Sequence, residues 1–280
     1  MSDPGLRSFI LNALAEDTGS GDHSSIASIT SSVTGRARLL VKESGIIAGL
    51  GIAREIFSIT DPSLETVLLL KDGNGVKYGD IALTVAGSVH SILRAERLVL
   101  NVMQRMSGIA TATATYVERV SGTRAHITDT RKTTPGMRAL EKEAVRLGGG
   151  VNHRMGLYDM IMLKDNHIDY AGGITAAVKR TQEYLIRQNL PLRIEVESRN
   201  LDEVREILAV GGVDRIMLDN FDIPSTRAAV ELIGGRAETE SSGGITLANV
   251  REYALCGVDY ISIGALTHHI KSLDMSLKAY

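Results

Sequence analysis

From about residue 124 onward, six short strand-like runs each end in charge, hydroxyl or glycine. In chain order these ends are Thr130-Arg131-Lys132, Lys164-Asp165-Asn166-His167, Glu197, Asp219-Asn220, Ser242-Gly243-Gly244 and Ile263-Gly264-Ala265, with His153 and Arg154 between the first two. Arg131, Lys132, His153, Arg154 and Lys164 make a cationic half, and Glu197 and Asp219 an acidic half. Several cations beside two carboxylates suit a polyanionic substrate that also brings hydroxyls or a divalent metal. The glycine segments after the last two runs stand where α/β barrels commonly hold a phosphate, because backbone N–H groups can approach its oxygens closely.

Each feature has a plainer reading. Arg131 and Lys132 could be solvated strand-end charges. Lys164 closes an apolar strand, which is unusual for a surface lysine. Glu195 and Glu197 share the segment IEVE, and only one of them, Glu197, is expected to face the mouth. His268 and His269 are adjacent on an expected surface helix, and no HxH or HExxH spacing exists, so no histidine-based metal site is expected. Cys256 in ALCG reads as a small packed hydrophobe. Arg97 is ambiguous, because a solvated helix face explains it as well as a site does.

The elements that must position these groups follow from rhythm. After an N-terminal helix, stretches such as ARLLVKESGIIAG and IALTVAGSV, separated by Asp72-Gly73, Asn74-Gly75 and Gly79-Asp80, predict an antiparallel or mixed sheet. Apolar periodicity predicts a long helix over 91–120, with Arg94, Arg97, Asn101, Arg105 and Gly108 as a polar stripe. From residue 124 strands and helices alternate. A helix starting at Pro135 follows HITDT, and another after RIEVE is capped by Asn200 with Glu203 three residues on. Alternation with run-together apolar strands predicts a parallel sheet buried on both faces. Six such units suggest an irregular, incomplete α/β barrel, with a doubly wound sheet as the alternative. The length allows one large domain or two.

Composition narrows the class. The 280 residues are 44% hydrophobic and 23% charged, as in an ordinary globular chain. With no Trp and 4% aromatics, the core is expected to be aliphatic. A net charge of −2 argues against general nucleic-acid binding, which needs a basic surplus. One cysteine excludes an internal disulfide and a cysteine-rich zinc site. No apolar run reaches membrane-spanning length and MSDPGLRSFI lacks a signal-peptide core, so a cytoplasmic protein is expected, with neither membrane nor nucleic acid as partner.

The stretches AERLVLNVMQRMSGIATATA, DTRKTTPGMRALEKEAVRLGGGVNHRMGLYDMIMLKDNHI, IMLDNF and ESSGGITLANV resemble the quinolinate phosphoribosyltransferase family, and the opening EDTGSGDHSS resembles its acidic-glycine motif. Its HSS ending replaces a more usual threonine-containing one. The resemblance implies transfer of phosphoribosyl from 5-phosphoribosyl-1-pyrophosphate (PRPP) to quinolinate with decarboxylation, in NAD biosynthesis, with Mg2+. It implies an α/β sandwich domain over 1–110 and an irregular barrel over 111–280, with a C-terminal helix packing back on the first domain. It also implies a homodimer, or a hexamer built from dimers, with sites shared between subunits. Carried over by motif, Arg97, Thr130, Arg131, Lys132, His153, Arg154 and Lys164 would bind quinolinate. Glu197 and Asp219 would serve ribose and metal, directly or through water, and Ser242, Gly243, Gly244, Ile263, Gly264 and Ala265 the phosphoribosyl group. Lys132, Lys164, Glu197 and Asp219 would be catalytic. Two alternatives stand beside this reading. One is a Schiff-base aldolase using Lys164; the other is a molybdenum-transport-associated paralogue acting as a binding protein.

Overall fold

The computed structural model describes residues 4–280. The chain forms α1 (Pro4–Thr18), α2 (His23–Ser28), β1 (Thr34–Val41), β2 (Gly45–Ile46), α3 (Leu50–Thr60), β3 (Glu65–Leu68), β4 (Gly75–Val76), β5 (Ile81–Ser88) and α4 (Val89–Arg119). Then follow β6 (His126–Thr128), α5 (Arg138–Leu147), β7 (Ile161–Leu163), α6 (Asp165–Ala171), α7 (Ile174–Gln188), β8 (Ile194–Ser198), α8 (Leu201–Val210) and β9 (Arg215–Asp219). The chain closes with α9 (Ile223–Ile233), β10 (Glu238–Ser242), α10 (Val250–Leu255), β11 (Tyr260–Ser262), α11 (Ala265–His268) and β12 (Met275–Ala279). Two compact units result. One holds residues up to 114, 134–149 and 269–280; the other holds 115–133 and 150–268.

The first unit is built on an antiparallel sheet in the order β12-β1-β5-β3. Period-two alternation turns Ala37, Leu39 and Val41 inward, and Leu83, Val85, Met275 and Leu277 are buried with them. The expected C-terminal helix is corrected here. Only residues 265–268 are helical, and Met275–Ala279 is an edge strand in register with β1, Leu277 opposite Leu39. α4 buries Val99, Met103, Met106 and Ala110, and its polar stripe is partly spent inside the unit. Arg94 donates to the Thr60 carbonyl at 2.6 Å, and Arg105 donates from Nε to buried Glu141 at 2.8 Å. A Cβ on Gly108 would stand 2.3 Å from the Lys271 carbonyl oxygen, so only glycine lets that backbone cross the helix.

In the second unit six parallel strands run in the order β6-β11-β10-β9-β8-β7. Each strand from β7 to β11 lies beside its sequence neighbour, and the last lies beside the first. A doubly wound sheet would instead reverse its order at a switch point. Among the described residues no ladder joins β6 to β7; at that edge Val151 forms a single bridge to Thr128. The unit is therefore an incomplete α/β barrel, as expected. Asn200 caps α8 by accepting from the N–H groups of Asp202 and Glu203, as its spacing predicts. The helix expected from Pro135 begins three residues later, at Arg138, after Gly136 adopts φ 78°. Its segment groups with the first unit, although it follows a barrel strand in sequence.

Candidate active site

A cavity of about 720 Å³ opens at the C-terminal ends of the barrel strands, and its lining comes wholly from the second unit. Thr130, Arg131 and Lys132 after β6, His153 and Arg154 before β7, and Lys164 after it line this cavity, whereas Asp165, Asn166 and His167 are not part of its lining. Glu197, Asp219, Ser242 to Gly244 and Ile263 to Ala265 complete the ring. Arg97 lies elsewhere, exposed on α4 in the first unit. Met162, Met217, Glu240, Thr246 and His268 also line the cavity and were not foreseen. Strand alternation was the available signal for Glu240, which stands two residues before Ser242 and so shares its face.

The cationic wall is crowded. Arg131 is held with its Nε buried and without a hydrogen-bond partner. Arg154 is buried, and its guanidinium donates to the Met160 carbonyl at 3.1 Å. Burial first, and then the neighbouring charge of Arg131, pulls the Arg154 pKa down. Two guanidiniums in such a place call for an anion between them. Lys132 is fixed through its backbone: its N–H donates to Thr130 Oγ1 at 3.1 Å, and its carbonyl accepts from Thr267 Oγ1 at 2.9 Å.

His153 also stands in this wall. Its Nδ1 accepts from the Arg154 N–H at 2.7 Å, which assigns the ring proton to Nε2, 3.0 Å from Glu195 Oε2. Both ring nitrogens are thus engaged by the protein.

Across the cavity, Lys164 Nζ pairs with Glu197 Oε1 at 2.7 Å, and the Asp165 N–H donates to Glu197 Oε2 at 3.2 Å. Asp219 faces Glu197; burial and then that neighbouring negative charge push its pKa up. Of the two glutamates of IEVE, Glu197 alone lines the cavity, as expected, although both point to the barrel interior. Residues two apart share a strand face, so Glu197 stands at the rim and Glu195 beneath it, completely buried. Glu195 and Glu240 lie 3.0 and 3.5 Å from His153 Nε2. Burial pushes each of these carboxyls up to about 7, even though Arg215 pulls against the rise.

Arg215 donates to Glu240 at 2.9 Å and to Glu238 at 3.0 Å, and it stacks 3.7 Å from the Tyr260 ring centroid. Burial pulls its pKa down, but Glu240, Glu195 and Glu238 outweigh that and leave it raised. The core is aliphatic as the composition predicts, and this charged cluster is a local exception inside the barrel.

Two acidic groups could hold a cation. His153, Glu195 and Glu240 bring ligand atoms within 4.8 Å of one another, a cluster the absent HxH spacing did not foretell. Arg215 already supplies Glu240 with positive charge there. Glu197 and Asp219 offer hard oxygen ligands at the cavity instead. The upward push on Asp219 by Glu197 is one that a divalent cation would reverse, so this pair fits magnesium.

Sequence profiles for the quinolinate phosphoribosyl transferase N-terminal and C-terminal domains match residues 22–107 and 109–278. The chain belongs to the quinolinate phosphoribosyltransferase family. It is 48% identical to the chloroplastic nicotinate-nucleotide pyrophosphorylase (carboxylating) of Arabidopsis thaliana, over 98% of this chain and 82% of the relative. A probable nicotinate-nucleotide pyrophosphorylase of Synechocystis sp. is 45% identical, over 99% of this chain and 92% of the relative. The crystal structure of NadC from Streptococcus pyogenes superposes with a TM-score of 0.93 at 39% identity, covering 100% of this chain and 99% of that one. Among the described residues no helix of this quinolinate phosphoribosyltransferase family member is long and apolar enough to cross a membrane.

Proposed function

We propose that the protein transfers the phosphoribosyl group of PRPP to quinolinate with decarboxylation, forming nicotinate mononucleotide, pyrophosphate and CO2 for NAD biosynthesis. One observation carries this reading: half-buried Arg131 and buried Arg154 crowd one wall of a cavity whose other wall is the Glu197–Asp219 carboxylate pair. Quinolinate brings two adjacent carboxylates, which would pair the guanidiniums and the Lys132 ammonium by charge-assisted hydrogen bonds. Thr130, Lys164 and the His153 ring would complete its enclosure, and Ser242 to Gly244 with Ile263 to Ala265 would receive the ribose phosphate.

Fixed this way, the pyridine nitrogen attacks C1 of the ribose as pyrophosphate departs. Positive charge growing on the ribose is eased by the carboxylates of Glu197 and Asp219. Those oxygens are also the ones that would hold Mg2+, directly or through water. Bound there, the ion supplies neutralising charge for pyrophosphate. Alkylation makes the ring an electron sink, so the 2-carboxylate leaves as CO2, its bonding pair stays on C2 as an ylide that takes a proton from water, and no covalent enzyme intermediate forms. The relatives carry enzyme names, which favours a transferase over a binding protein. Lys164, half exposed and ion-paired, lacks the dry setting of a Schiff-base lysine.

Arg97 enters this reading as a quinolinate-binding cation delivered by the partner of a homodimer, since it is exposed on α4 in the first unit. The single, buried cysteine suits a reducing compartment, and we place the protein in the cytoplasm. The test is incubation with quinolinate, PRPP and Mg2+. Nicotinate mononucleotide and CO2 should form together, each dependent on both substrates; no product with either pyridine acid would overturn the reading.

A further inference from the structure

Asn220 follows Asp219 at the end of β9 and holds a left-handed backbone, φ 55°. Outside glycine, Asn and Asp tolerate that conformation best. Its N–H donates to the Ser242 carbonyl at 2.8 Å, tying the end of β9 to the start of the glycine loop. Its side-chain Nδ2 donates to Asp219 Oδ2 at 2.9 Å. The amide orientation follows from chemistry, because a carboxylate accepts and Oδ1 in that place would be repelled.

The opposite side of the amide meets Gly243. A Cβ on Gly243 would stand 2.2 Å from Asn220 Oδ1 and 2.6 Å from its Cγ. Gly243 itself has φ 92°, which also favours glycine. The amide is therefore wedged between the glycine loop and the carboxylate, and all three line the cavity.

We propose that Asn220 is a positioning residue, which aims the Asp219 carboxylate at the ribose and couples that aim to the seating of the Ser242–Gly244 loop. The amide N–H restrains rotation of the Asp219 carboxylate. Gly243 leaves the amide room to stay there. This rests on the function proposed above, and it assigns Asn220 no contact with substrate.

Asn220→Gly separates backbone from side chain. Glycine keeps the left-handed conformation and the N–H to Ser242, and removes only the amide. We expect kcat to fall about tenfold, the scale of one lost hydrogen bond to a charged group, with quinolinate affinity by titration calorimetry unchanged. Asn220→Asp keeps the size and the backbone tolerance, removes the donor, and should also lower kcat; it serves if the glycine variant does not fold by circular dichroism. Gly243→Ala should lower kcat in the wild type by a larger factor than in the Asn220→Gly background, where no amide is left to displace. Wild-type kcat in Asn220→Gly would overturn the proposal, as would an equal fall in quinolinate affinity. Wild-type protein inactive on quinolinate and PRPP would instead overturn the proposed function.

Discussion

Replacing Arg215 by leucine should destabilise the protein in a pH-dependent way. Arg215 faces the buried carboxyls of Glu240 and Glu195, with His153 also acting on Glu240 and Arg154 and Lys164 on Glu195. In the wild type these carboxyls sit at about 7 instead of 4.5, so the folded chain binds more protons than the unfolded chain between those values. Stability from each group is therefore fully present below about pH 4.5 and is lost as pH rises towards 7. A rise of 2.5 units corresponds to roughly 3 kcal/mol per group, an upper bound for a coupled pair. Without Arg215 both carboxyls rise further, and the loss continues above pH 7 at about 1.4 kcal/mol per pH unit for each one still protonated.

At pH 6 the carboxyls are mainly protonated in both proteins. The variant then lacks chiefly the stacking on Tyr260 and the hydrogen bonds, about 1–2 kcal/mol. At pH 8 the deficit should reach about 3–5 kcal/mol, the range for breaking a buried pair. Glu238 adds little, because it keeps Arg193 at 2.7 Å and is partly exposed. The chain has no Trp, so urea unfolding at both pH values is best followed by far-ultraviolet circular dichroism. A deficit equal at pH 6 and pH 8 would refute the reasoning.

Nicotinate should be a very poor substrate beside quinolinate, because a missing carboxylate leaves buried guanidinium unpaired at about 1–3 kcal/mol or more; comparable kcat/KM values would remove the pocket assignment. Glu197→Gln and Asp219→Asn should lower kcat steeply while calorimetric quinolinate affinity stays near wild type, because the charge they meet develops only towards the transition state. The opposite pattern would move both residues to the quinolinate side. Inactive Arg97→Ala and Lys164→Ala chains, unfolded together and reassembled, should regain roughly a quarter of wild-type activity, since half the dimers are mixed and each has one intact site. Heterodimers verified by mass spectrometry yet inactive would exclude a shared site.

Local pattern was enough for the alternating strands and helices, because buried parallel strands must be apolar runs and crossover helices must carry a 3.6-residue stripe. It was enough too for the strand-end positions from Thr130 to Ala265, because a parallel barrel brings all those ends to one mouth. Other features were decided by tertiary contacts. MSLKA has ordinary helix formers, yet pairing with β1 turns it into a strand, since a ladder partner and a buried face outweigh propensity. Helix α5 follows a barrel strand in sequence, yet it belongs to the first unit, where its Glu141 meets Arg105 of α4. RIMLD and ETESS show no sign that Arg215 and Glu240 will meet inside a barrel. Such an ion pair depends on the register between strands 25 residues apart, and register is a property of the closed sheet.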